Sequence, residues 1–101
     1  MASSVTEAAA PQAQNVRVDD DVLVVELLDG RSVSVPVAWY PRLAHGSAAE
    51  RSDWRLTGRG VGIHWPQLDE DVSVDDLLAG RRSAESQASL QRWLAGRKPS
   101  S

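Results

Sequence analysis

The stretch Val22–Pro36, VLVVELLDGRSVSVP, decides the fold. Its first half is a Val/Leu run and its second half alternates valine with serine, so both have strand character around the turn signal Asp29-Gly30. Two registers compete. A two-residue loop at Asp29-Gly30 places Leu27 opposite Ser32 and Val25 opposite Ser34, which sets apolar residues against the polar side. A three-residue loop, Leu28-Asp29-Gly30, places Val25 opposite Val33 and Leu23 opposite Val35. It also leaves Gly30 in the left-handed position that a type I turn with a glycine bulge requires. The second register is expected, because it gathers Leu23, Val25, Val33, Val35 and Val37 on one face.

Upstream, Val16 and Val18 alternate ahead of an Asp19-Asp20-Asp21 turn. Residues 1–14 are small, polar and Ala-rich and read as a disordered leader. Downstream, Pro36 marks a strand end. Pro41 suits the first turn of a helix, where the amide it lacks has no partner anyway. Ser47-Ala48-Ala49-Glu50 has the spacing of a capping box, so one or two short helical pieces are expected between Pro41 and Ser52.

A second hairpin follows. Trp54 and Leu56, then Val61, Ile63 and Trp65, alternate on either side of Gly58-Arg59-Gly60, and Pro66 ends the strand. Trp54 and Trp65 are expected to pack together across it. Ser73 reads as a helix N-cap with Asp76 able to reach back, Val72 and Leu77 as a hydrophobic staple, and Gly80 as the stop. The segment SAESQASLQRWLAG (residues 83–96) carries weak helical periodicity through Leu90, Trp93 and Leu94. The fold expected is α+β in a single domain, with small antiparallel β-hairpins or a sheet and two or three short helices. The compact domain spans residues 15–80, and residues 81–101 form a C-terminal helix or tail.

Composition narrows the function. The 101 residues carry a net charge of -3, which argues against direct nucleic-acid binding, since that depends on basic patches. There is no cysteine, so disulfides, thiolate metal sites and cysteine nucleophiles are excluded. The opening MASSVTEAAAPQAQ lacks the basic start and apolar run of a signal peptide, and no run approaches a membrane span. A cytoplasmic address follows by default.

The order of the pieces resembles a small bacterial family, domain of unknown function 2442. The resemblance covers roughly Val16 to Gly80 and rests on VLVVELLDGRSVSVPVAWYPRL, AAERSDWRL, GIHWPQLDEDVSV and the closing DLLAG. It implies a compact α+β fold and no assigned catalytic residues. It also implies a partner, because many members are similar to the downstream protein in gene pairs with domain of unknown function 4160 that look like toxin-antitoxin modules. Some relatives carry a helix-turn-helix domain behind this one; beyond Gly80 this chain has room for one helix only.

The stretch Gly62–Gly80, GIHWPQLDEDVSVDDLLAG, concentrates the polar chemistry. Asp69, Asp71, Ser73 and Asp75 alternate like the start of an EF-hand loop, but Val74 and Gly80 stand where that loop needs glycine and a bidentate glutamate. His64 and His45 lack the spacing of a transition-metal site. His64 with Asp69 or Glu70 forms a base and an orienting acid, yet no nucleophile elbow accompanies them. No catalytic, cofactor or metal site is therefore assigned. The structural reading places Asp69, Glu70 and Asp71 just ahead of the Ser73-capped helix, where negative charge is favoured by about 0.3–1 kcal/mol. One of them is expected to bind backbone donors of the join, or Arg55 or Arg59.

The leading expectation is a non-enzymatic protein-interaction module, the antitoxin-like member of a two-gene system, covering a basic partner with acidic and aromatic surface. Its candidate contacts are Trp39 and Tyr40, at an exposed corner before Pro41, together with Asp69, Glu70, Asp71 and Trp93. Unpaired strand edges also allow a homodimer. Two competing classes remain: a small ligand-binding or hydrolytic protein centred on His64 and the Asp69–Asp71 join, and an auxiliary domain of a DNA-binding regulator.

Overall fold

The computed structural model describes residues 10–97. Most of the expected leader, residues 1–9, and the last four residues lie outside the described part. Three strands, β1 (Ala13–Val18), β2 (Val22–Leu27) and β3 (Ser32–Pro36), form one antiparallel sheet in the order β1-β2-β3. The β2–β3 register is the one gathering apolar residues, with Val25 paired to Val33 and Leu23 to Val35. Gly30 takes φ +95° inside the three-residue loop. Side chains fix both turns: Asp19 accepts from the amides of Asp21 and Val22, and Asp29 from that of Arg31. β1 starts at Ala13, inside the expected leader. Ala13 is buried and the carbonyl of Gln12 accepts from the Leu28 amide, so the chain is anchored there.

The second sheet corrects the sequence reading. Beyond β4 (Arg55–Thr57) and β5 (Gly62–Trp65) it contains β6 (Glu70–Ser73), in the order β4-β5-β6. Glu70 and Asp71 therefore lie within a strand and do not simply lead into a helix. Val72 pairs with Ile63 and is buried, which commits the acidic stretch to the sheet. A strand with one apolar residue among charges gives almost no period-2 signal.

Four α-helices occur among the described residues, against two or three expected: α1 (Pro41–His45), α2 (Ala48–Ser52), α3 (Val74–Ala79) and α4 (Gln87–Gly96). None is long and apolar enough to cross a membrane. Pro41 occupies the first turn of α1, and both bonds of the Ser47/Glu50 capping box are present on α2. On α3 the Ser73 hydroxyl accepts from the Asp76 amide, but the Asp76 carboxylate does not reach back. It takes Arg81 Nη1 at 2.8 Å instead.

The two sheets and α1 share one core, in which Leu23, Val25, Leu27, Leu43, Ile63, Trp65, Leu68 and Val74 are fully buried. Trp54 packs against this core from a half-buried position just ahead of β4. One charged residue is also buried. Arg51 of α2 donates to the carbonyls of Leu43 (2.8 Å) and Ala44 (2.9 Å) at the end of α1, the first of which also accepts from the Gly46 amide, and to Asp20 (2.8 Å) in the β1–β2 turn. The carbonyl of Arg51 in turn accepts from Trp65 Nε1 at 3.0 Å.

Candidate interaction surface

The join after Trp65 places three consecutive carboxylates in three different environments. Leu68 drops into the core, and Asp69 turns the chain with φ +52°, a conformation that short polar residues tolerate best. Its side chain is 83% exposed, and its carbonyl holds Arg42 Nη1 at 2.9 Å. Glu70 points inward. Its Oε1 accepts the Asp71 amide at 3.0 Å, covering a donor on the outer edge of β6, while Oε2 is sealed from solvent without a partner among the described residues. Asp71 points outward, 74% exposed, with Oδ1 2.8 Å from Nδ1 of His64 on β5. The partners of the join are thus Arg42, the strand's own amide and His64. Arg55 and Arg59, expected from the sequence, take no part.

Two concavities flank β6. One, of about 400 Å³, is polar and runs from Tyr40, Arg42 and Glu70 to Arg82, Glu85 and Ser89. The other, of about 460 Å³, has Val61, Ile63 and Val72 in its lining with Asp71, Asp75 and Asp76 beside them. His64 lines neither, while its partner Asp71 lines both. Among the described residues no group of three His, Asp or Glu side chains is placed to hold a metal.

The aromatic candidates fare unequally. Tyr40 is buried and its hydroxyl donates to the Arg81 carbonyl at 2.9 Å, so the expected exposed corner is corrected. Trp39 is half-buried, with the Arg82 guanidinium 5.0 Å over its ring. Trp93 of α4 lies between two guanidinium groups, Arg42 at 5.0 Å and Arg97 at 4.7 Å. Each of these arginines has its own carboxylate. Arg42 Nη2 meets Glu85 at 2.6 Å, and Arg97 forks onto Glu50 at 2.8 and 3.1 Å. Arg97, seconded by the Ser47 amide, draws the Glu50 carboxyl down to about 2. Arg42 and Ser89 lower that of Glu85. Sequence reasoning missed Arg42, Glu85 and Arg97 altogether, and saw Glu50 only as a cap.

The order of strands, the caps and the acidic join can now be compared with known proteins. A family model described as protein of unknown function (DUF2442) matches residues 13–83. The chain belongs to the DUF2442 family. Its fold is similar to the crystal structure of a protein of unknown function from Rhodospirillum rubrum, with a TM-score of 0.65 and 28% identity over 79% of this chain and 96% of the other. It is also similar to the solution structure of an uncharacterised protein from Chromobacterium violaceum, with a TM-score of 0.61 and 23% identity over 89% of this chain and 79% of the other. No curated protein matches. The DUF2442 match takes in Arg42, Glu50 and the whole acidic join, but ends before Glu85, Trp93 and Arg97.

Glu70 gives this DUF2442 site a pH signature. Burial pushes its carboxyl up to about 7, against the opposing pull of the Asp71 amide and Arg42. The folded state therefore holds the Glu70 proton between pH 4.5 and 7, where the unfolded chain has released it. Stability from this group falls as pH rises through that window. E70Q keeps the acceptor for the Asp71 amide and removes the buried charge. Urea unfolding should find it equal to the parent near pH 4 and more stable at pH 8 by roughly 1–2 kcal/mol, the full shift being discounted for partial solvent screening.

Proposed function

We propose that this DUF2442 protein is a non-enzymatic protein-interaction module, the antitoxin-like member of a two-gene pair, whose contact face is the outer side of β6 and the start of α3. The observation that carries this reading is the outward projection of Asp69 just ahead of the edge strand β6, Asp71 within it and Asp75 at the start of α3, the last two beside a groove lined by Val61, Ile63 and Val72. Negative charge over exposed apolar surface fits a basic protein partner, which it would steer and orient before the apolar contact forms. The net charge of -3 favours the same class of partner. Co-expression with the product of the neighbouring gene tests the reading. A stoichiometric complex is expected, and D69K/D71K/D75K should weaken it by about tenfold or more at low salt. Absence of any complex at micromolar concentration would count against the reading.

A further inference from the structure

The helix α4 lies outside the segment that defines the family, yet it is seated on residues inside that segment. No residue of α4 is buried, and Leu90, Trp93 and Leu94 are only half-covered. Its hold on the domain is made by side chains. Glu85, just ahead of the helix, pairs with Arg42 on α1; Trp93 stacks under Arg42; and Arg97, just after the helix, pairs with Glu50 on α2. The domain thus offers one positive and one negative group on adjacent short helices, and α4 answers each with the opposite charge and places an indole beside the positive one. The pairs are largely shielded from solvent, with Arg42 and Glu85 15% and 10% exposed, and Trp93 also rests against the core. Yet no residue of α4 is itself buried, so the helix can leave its seat without opening the core.

We infer that the α1–α2 face carrying Arg42 and Glu50 is a helix-docking surface, occupied in this chain by its own α4, which a partner helix of the same acidic–aromatic–basic pattern can displace. The inference rests on the interaction-module reading only for the existence of such a partner; the docking itself is testable without one. α4 is then a resident ligand, and the partner helix competes with it at a cost set by Trp93 and Arg97.

The test adds a labelled peptide of residues 81–97 to the full chain. The native chain should bind it weakly, because α4 already holds the site. The full-length variant W93A/R97E leaves Arg42 and Glu50 intact, and should bind the peptide about tenfold tighter or more. A peptide carrying the same two substitutions should bind neither. Equal affinity of the two chains, or no binding by either, would overturn the inference. Amide exchange on the native chain gives a second reading that needs no variant: α4 should exchange about a hundredfold faster than β1–β3. Exchange of α4 together with the sheet would make it a fixed part of the fold and overturn displaceability. D71K/D75K should leave peptide affinity unchanged, which separates this surface from the acidic face of β6.

Discussion

W65A is expected to cost about 3–5 kcal/mol in urea unfolding, the range for emptying a large aromatic from a packed core. Trp65 is 0% exposed, the largest of the fully buried side chains, and sits where β5 meets α2. A domain of this size has on the order of 5–13 kcal/mol in all, so W65A removes a large share and should lower the midpoint steeply. W65F separates the two contributions. It keeps most of the apolar contact but leaves the Arg51 carbonyl without its indole donor, and should lose about 1–2 kcal/mol. A loss below about 1 kcal/mol for W65A would contradict the packing described.

R51A is the second large effect, at about 2–4 kcal/mol by the same measurement. The guanidinium closes the C-terminal end of α1 and ties it to α2, and truncation removes the side-chain donor from the Ala44 carbonyl and leaves the Leu43 carbonyl with the Gly46 amide alone. R51K should recover only part of the loss, because a single ammonium cannot reach both carbonyls and Asp20 in a planar fork. D20A should change stability by less than about 1 kcal/mol, since the Asp20 side chain is 93% exposed and its pair with Arg51 works in solvent. The contrast between R51A and D20A locates the stabilisation in the helix junction and away from the ion pair.

What the sequence revealed and what it concealed divide along the range of the interaction. The β2–β3 register, the Gly30 turn, the Ser47/Glu50 box and the Ser73 cap all depend on neighbours within a few residues, and each is present. β6 was hidden because its core contact is the single residue Val72, set among carboxylates that read as loop. Arg51 looked like an ordinary charge on a short helix; the carbonyls of Leu43 and Ala44 come within its reach only once α1 ends where it does. The Arg42–Glu85 and Glu50–Arg97 pairs span more than forty residues each, beyond any local pattern. Of the six candidate contact residues, Asp69 and Asp71 project outward, Glu70 and Tyr40 turn inward, and Trp39 and Trp93 lie under arginines. Alternation in the strand separated Asp71 from Glu70, and that alternation was legible only after β6 was known.

The central claim is that the β6–α3 face meets a basic protein, and amide hydrogen exchange of the full chain tests it most directly, with and without the product of the neighbouring gene. Slowed exchange confined to residues 69–76, and lost again at high salt, is the result predicted. Unchanged exchange across residues 69–76 in a sample where the two proteins do associate would contradict it.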